Sequence, residues 1–394
     1  MRRRFDTTGS CNPKQHYMVN IDSRLAEIRA MVEDGDYFTI NRARQYGKTT
    51  TLSLLKKSLS DQYCVFFISL EGVEEEAYAS TSSFYQLLAG LLYDVIAYGE
   101  VQDVPQHIAD GLLEMSEARD GSLTGRSMSN FITKMCQEIE KPVVLMINEV
   151  DRVSNQKTFL SFLGMLRNKY LSRTERETFQ SVILAGVYDV KNMKLKIRSE
   201  QEHQYNSPWN IAADFQVNMG LPKAGILEML SEYEQDYHTR MQLEEMTNLL
   251  YDYTFGYPFL VSRLCKLLDE QVAGRIEGYP DKASAWTKAG FLEAVKLLLT
   301  EKNTLFESLI NKVNDYPELR QMLQVILFSG NKVIYNPDHE VFNIAAMFGF
   351  VKNENGALAV ANRIFETRLY NLFLSEEELH NRLYTEEAGD RTCT

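Results

Sequence analysis

The chain has 394 residues, 44% of them hydrophobic, enough to bury a sizeable core in two or three domains. Its formal net charge is −12, so its overall field repels DNA and anionic membrane surfaces, and any nucleic-acid contact has to come from a local basic patch. Met1-Arg2-Arg3-Arg4 is followed by Phe5-Asp6-Thr7-Thr8-Gly9 where a secretion signal needs an apolar stretch. The longest apolar runs, such as Val143 to Ile147, are too short to span a bilayer. Together these features predict a cytoplasmic protein that does not enter membranes.

The first element that carries chemistry lies near the N-terminus. Tyr37-Phe38-Thr39-Ile40 is β-branched or aromatic and reads as a buried strand, whereas Thr49 to Leu59 carries Leu52, Leu55 and Leu59 at helical spacing. Between them Asn41-Arg42-Ala43-Arg44-Gln45-Tyr46-Gly47-Lys48-Thr49-Thr50 occupies the strand-to-helix junction of a phosphate-binding loop. Free N–H groups and the positive end of the helix dipole favour phosphate oxygens there. Lys48 is expected to reach the β- and γ-phosphates of ATP, and the Thr49 hydroxyl to bind Mg²⁺. The loop departs from the usual pattern at its first glycine, which here is Arg42.

Cys64 to Leu70 reads as the second strand, and a helical insert follows at Phe84 to Tyr98, Ile108 to Met115 and Met128 to Ile139, with Glu117 to Gly125 its most loop-like part. Pro142 to Ile147 then runs apolar without alternation into Asn148-Glu149-Val150-Asp151, the pattern of a central parallel strand. Polar groups at its carboxyl end would project into the crevice where open α/β sheets bind ligands. In related ATPases this position is Asp-Glu. Asn148 can still accept a hydrogen bond from a Mg²⁺-bound water but brings no charge to a hard dication, which predicts weakened Mg²⁺ affinity and slow hydrolysis. Asp151 is either a substitute ligand or the cap of the next helix.

Val182 to Val187 reads as a further strand, and Phe215 to Met219 as a possible one. Between them, Tyr188-Asp189 and a stretch containing Lys191, Lys194, Lys196 and Arg198 could sense a γ-phosphate, although a solvated loop is the favoured reading. From Lys223 to Leu299 the pattern is wholly helical: Ala224 to Tyr237, Leu243 to Tyr253, Pro258 to Val272 and Lys288 to Leu299. Gly256 is placed to end one helix and Pro258 to start the next. From Thr304 to Phe373 the order is helix, helix, short strand, a helix at Glu340 to Phe348, then a hairpin turning at Asn355-Gly356, the order of a winged helix. Residues after Leu374 are charged and polar and are expected to fray.

Five cysteines (Cys11, Cys64, Cys136, Cys265, Cys393) and six histidines (His16, His107, His203, His238, His339, His380) are scattered. Their spacing predicts reduced thiols and no metal beyond the Mg²⁺ that accompanies nucleotide. The expected class is α/β: a P-loop parallel sheet (residues 1–220), a helical lid (221–300), a winged helix (301–375) and a C-terminal tail (376–394).

Arg44 to Thr49, the apolar strand ending in Asn148-Glu149, and Gly256-Tyr257-Pro258 ahead of a winged helix together resemble bacterial AAA-like ATPases and, more broadly, the archaeal-ATPase and STAND (signal-transduction ATPase) group. Phe179 to Asp189 and Asn206 to Phe215 carry the same resemblance. It extends from about Phe5 to Phe373. The resemblance implies Walker A roles for Lys48 and Thr49, within a binding set of Arg44, Gln45, Tyr46, Gly47, Lys48, Thr49 and Thr50. It implies catalysis by Glu149 with Lys48, Mg²⁺ held by Thr49 and, through water, Asn148, and Pro258 in a lid near the adenine. Similar chains often carry a C-terminal nuclease domain, for which this sequence leaves no room.

Tyr17 could stack on adenine or be a core tyrosine, and both readings stand. The expected function is an ATP-driven conformational switch with low intrinsic turnover and a protein partner or self-association, for which Arg167 and Arg198 are candidate trans-acting arginines. The alternatives are a non-hydrolysing nucleotide-binding scaffold and a winged-helix regulator of nucleic acid. The last is weak, because the presumed recognition helix from Glu340 to Phe348 holds no Lys or Arg.

Overall fold

The two central strands, Val143–Asn148 and Ser181–Gly186, form where apolar and β-branched residues run without alternation, because both of their faces are covered. The computed structural model describes residues 3–118, 121–153, 156–187 and 208–390. Tyr188, Asp189, the basic stretch with Arg198, and Asn206 and Ser207 lie outside them. The chain divides into two units: Ile21–Ala43 with Gly47–Met219, here the sheet unit, and Met1–Asn20 with Arg44–Tyr46 and Gly220–Thr394, here the helical unit.

In the sheet unit the elements run α1 (Asp22–Glu33), β1 (Tyr37–Asn41), α2 (Lys48–Leu59), β2 (Cys64–Ser69), α3 (Thr81–Ala97), α4 (Gln106–Glu117), α5 (Gly125–Glu138), β3 (Val143–Asn148), α6 (Lys157–Leu171) and β4 (Ser181–Gly186). The four strands are all parallel, in the order β1-β4-β3-β2. All six residues of β3 and all six of β4 are buried. Local signals set the helix starts: Ser80 accepts from the Ser83 N–H ahead of α3, and Thr124 and Ser127 form a reciprocal capping box on α5. Trp209 is fully buried, its ring 6.0 Å from Tyr37, and its indole N–H donates to the Thr39 hydroxyl at 3.0 Å.

Phe215 to Met219 does not form the possible strand. A single parallel bridge joins Phe38 to Ala213 on the free edge of β1 instead. Two of the segment's carbonyls accept from guanidinium groups: Arg42 donates to Val217 O at 3.0 Å and Arg24 to Asn218 O at 3.1 Å. Side-chain donors satisfy those backbone groups.

The helical unit contains α7 (Lys223–Tyr237), α8 (Leu243–Thr254), α9 (Pro258–Leu267), α10 (Lys282–Ala285) and α11 (Lys288–Thr300). Where one helix from Pro258 to Val272 was expected, α9 passes into a π-helical turn over Leu268–Val272. The unit's core includes an aromatic group that also takes in the N-terminal arm. Phe5 and Tyr17 lie 5.1 Å apart, Tyr17 and Tyr233 5.2 Å, and Tyr233 and Trp286 4.6 Å, between ring centroids.

Then come α12 (Thr304–Asp315), α13 (Pro317–Phe328), β5 (Val333–Ile334), α14 (Glu340–Met347), β6 (Val351–Glu354), β7 (Ala357–Val360) and α15 (Arg363–Asp390). The last three strands form an antiparallel sheet in the order β5-β7-β6. The β6–β7 turn uses Asn355 and Gly356 at φ of 52° and 84°, as its Asn-Gly sequence predicts. The expected fraying after Leu374 is not seen: α15 continues to Asp390. Glu376, Glu377, Glu378 and Leu379 are good helix formers, and Glu376 pairs with Arg320 on α13.

Candidate functional site

The strand register brings the two motifs to one edge. Asn41 at the end of β1 pairs with Gly186 on β4, and Asn148 at the end of β3 pairs with Ala185, so the loops after β1 and β3 leave the sheet at the same level. One strand separates them, which sets their backbones about 10 Å apart. This carboxyl edge is where ligands of open α/β sheets bind.

The loop after β1 needs two left-handed residues to turn into α2, Gln45 at φ 56° and Gly47 at φ 78°. Glycine adopts that conformation at no steric cost; Gln45 does so at some strain. Gly47, the N-cap of α2, provides no side-chain cap. Lys48 is buried, and its ammonium donates to Arg42 O at 2.7 Å and Ala43 O at 2.9 Å. Its charge is thereby held inside the loop rather than in solvent. Thr49 is exposed on the first turn of α2, and Thr50 is half-buried beside it.

Arg42, at the position of the missing glycine, turns its side chain out of the loop. It donates to the Asn41 and Val217 carbonyls and lies 5.2 Å from the Phe215 ring centre. The Arg42 N–H itself donates to Gly186 O at 3.1 Å, tying the loop to the end of β4.

At the end of β3, Asn148 is 5% exposed and its Oδ1 has no hydrogen-bond partner among the described residues. An orphaned buried acceptor is costly, on the order of 1–3 kcal/mol, and native proteins keep few of them. Glu149 follows in the left-handed region at φ 58° and ψ 41°, which costs a non-glycine residue some strain. Asp151 neither caps a helix through its side chain nor stands free: its carboxylate accepts from the Val187 N–H, both oxygens at 2.7 Å. Gly186 is required beside it, because a Cβ there would come within 2.5 Å of Asp151 Oδ1.

The middle of the loop, Arg44 to Tyr46, groups with the helical unit, and its partners there include Tyr257, to which the sequence assigns no site role. The Tyr257 hydroxyl donates to Arg44 O, and the Tyr46 ring meets Tyr257 edge-on with centroids 4.6 Å apart. Gln45 Nε2 donates to the Thr304 hydroxyl at 2.9 Å. Burial drives the Tyr257 hydroxyl well above the ordinary tyrosine range, so it stays protonated and a donor. Gly256-Tyr257-Pro258 reads as a cap, and it is one: Gly256 sits at φ 70° and Pro258 opens α9. A Cβ on Gly256 would lie 2.2 Å from Leu221 O. A buried tyrosine needs a hydroxyl partner. No local pattern could name one 213 residues away.

Tyr17 and Pro258 also belong to the helical unit. Of its two readings, Tyr17 has the geometry of a core residue. It is 2% exposed, its hydroxyl donates to Asp236 at 2.6 Å, Arg3 lies over its ring at 4.7 Å, and Phe5 and Tyr233 pack against it. Arg167 stands on α6 with its Nε donating to Asn210. Arg198 lies outside the described residues.

A four-stranded parallel sheet in this order, with a Gly-Lys-Thr helix start after β1 and a buried strand ending in Asn-Glu two places along, defines a P-loop ATPase domain. The AAA-like domain family matches residues 14–375, and the chain belongs to it. No curated protein sequence matches the chain. Among solved structures it is similar to the Walker-type ATPase paby2304 of Pyrococcus abyssi, at 11% identity and a TM-score of 0.61, over 93% of this chain and 99% of that one. It is also similar to Cdc6p from Pyrobaculum aerophilum at 11% identity and a TM-score of 0.43, over 94% and 97% of the two chains. RuvB of Thermotoga maritima gives 11% and 0.38, over 87% and 92%.

Proposed function

We propose that this protein binds ATP with Mg²⁺ at the loop after β1 and hydrolyses it slowly, using the bound state to switch its conformation. The observation that carries the reading is the shared edge of the sheet, where Gly47-Lys48-Thr49 and Asn148-Glu149 emerge one strand apart. In this reading Lys48 exchanges its two loop carbonyls for phosphate oxygens, and the N–H groups of α2's first turn complete the cradle. The Thr49 hydroxyl and the Asn148 amide oxygen would hold magnesium, Asn148 through water. The partnerless Oδ1 fits that role, since a metal-bound water is a donor. When bound, magnesium would supply positive charge to the phosphate oxygens. Glu149 would take the proton of the attacking water as the bond to the leaving ADP oxygen breaks.

An amide in place of an aspartate removes one negative charge from the metal's surroundings, at a cost of a few kcal/mol and a slowing of about a hundredfold or more. The same observation favours a second reading, a nucleotide-binding scaffold that does not turn over. A regulator of nucleic acid is less well supported: we read residues 301–375 as a winged helix, but α14 carries no Lys or Arg to reach base edges. Among the described residues no helix is long and apolar enough to cross a membrane, which is compatible with a cytoplasmic protein.

As a STAND-type switch, the protein would pass a change in the loop to the helical unit through the bonds of Arg44, Gln45 and Tyr46 to Tyr257 and Thr304. A second copy, or a protein partner, would complete turnover if Arg167 acts in trans. The test is ATP binding and turnover by the purified chain beside Lys48→Ala and Asn148→Asp. Loss of binding in Lys48→Ala with turnover in the unaltered chain supports the switch. Turnover seen only after Asn148→Asp supports the scaffold. Equal binding by the unaltered chain and Lys48→Ala removes the loop as the site.

A further inference from the structure

We propose that Asp6, Cys11 and His16 form a zinc site that closes the N-terminal arm. One carboxylate oxygen, the thiol sulfur and one ring nitrogen lie within 4.8 Å of one another, and Asp6 and His16 are buried. The arm that carries them is already drawn shut by its backbone. The Arg4 N–H donates to Gln15 O and the Tyr17 N–H to Arg4 O, both at 3.0 Å, and a bridge joins Arg4 to His16. Phe5 and Tyr17, the neighbours of two of the ligands, are fixed in the core of the helical unit. Two of the three ligand positions are therefore set before any ion arrives, and the ordering entropy of binding is small.

A buried aspartate and histidine side by side ordinarily pair with each other. Here Asp6 takes its hydrogen bond from the Thr8 hydroxyl at 3.1 Å, and His16 Nδ1 takes one from the Asn12 N–H at 3.0 Å. Two groups of complementary chemistry thus face one point beside a thiol without bonding to one another. Thiolate, imidazole and carboxylate together select zinc over the hard dications magnesium and calcium, which take oxygen. Three protein ligands leave the fourth tetrahedral position to water.

Zinc bonds of about 2.0–2.3 Å place ligand atoms nearer than 4.8 Å, so the set must contract by about 1 Å. Cys11 is half-buried on the loop, and Gly9 nearby is at φ 72° with open space around it. Ligation at His16 Nδ1 displaces the Asn12 N–H, and ligation at Nε2 moves the ring proton to Nδ1 with the same result. One backbone hydrogen bond is lost, which is small beside the free energy of a structural zinc.

The site owes nothing to the nucleotide reading, and its test contains no nucleotide. The full-length protein, stripped with chelator and kept reduced, is titrated with Zn²⁺ by calorimetry and with Co²⁺ by absorbance. The expected result is one equivalent of zinc and a near-ultraviolet thiolate-to-cobalt band that Cys11→Ser abolishes, with His16→Ala weakening zinc binding about tenfold or more. Cys393→Ser should keep both signals. No stoichiometric zinc binding by the unaltered chain overturns the proposal, as does a cobalt band that survives in Cys11→Ser. Should the variants fail to fold, alkylation of the unaltered chain with and without Zn²⁺, read by peptide mapping, replaces them. Protection of Cys11 supports the site, and equal alkylation rejects it.

Discussion

The loops after β1 and β3 leave the same sheet edge in opposite states. The first is satisfied from within: Lys48 spends its charge on two carbonyls of its own loop, and Arg42 ties that loop to neighbouring backbone. The second is left wanting, with an amide oxygen on Asn148 buried and partnerless among the described residues and a left-handed backbone at Glu149. A self-satisfied cradle can wait for its ligand without loss of stability, whereas the end of β3 gains a hydrogen bond only when a donor is brought to it. Binding and turnover should accordingly come apart under mutation.

The largest effect is expected at Glu149. Glu149→Gln should lower the turnover number about a thousandfold while ATP affinity changes little, read by steady-state kinetics beside equilibrium binding. An equal loss of affinity would break the division between the two loops. Lys48→Ala should weaken ATP binding about a hundredfold or more, measured by calorimetry. Asn148→Asp should raise turnover by about a hundredfold and tighten Mg²⁺ dependence, checked by titrating Mg²⁺ at saturating ATP. No gain would mean that the amide is not what limits hydrolysis.

Tyr257→Phe removes the donor to Arg44 O and should change ATP affinity by about fivefold with thermal stability nearly unchanged, a shift of about 1 kcal/mol. The smallest effect lies away from both loops. Lys169 is buried on α6, donates to the Thr133 hydroxyl, and has its pKa lowered by burial. A depressed folded-state pKa contributes stability above the unfolded lysine value and loses it as pH falls through the folded value. At neutral pH the buried charge is therefore a net cost. Lys169→Met should stabilise the fold by about 1 kcal/mol at pH 7 and by less near pH 10, followed by urea denaturation.

The central parallel strands were legible because a strand covered on both faces is apolar along its length, as Val143 to Ile147 is. The loop after β1 was legible for the same reason at one remove: Gly47-Lys48-Thr49 gains meaning only from the strand before it and the helix after it. What sequence could not supply were partners at long range. Phe215 to Met219 has the composition of a strand, yet two arginines far upstream occupy its carbonyls. Asp151 read as a ligand or a cap, and it holds the backbone of Val187. Asp6, Cys11 and His16 sit five residues apart in a spacing that matches no ligand motif, and only the closure of the arm brings them together.

Arg42 bears on how such a protein should be engineered. Repairing the loop toward its commoner form by putting glycine at position 42 would look like an improvement on paper. It would delete the bond to Val217 O and the cation over Phe215, and so release the segment that flanks β1. Here the irregular residue is a fastening, and consensus is a poor guide to what the loop can spare.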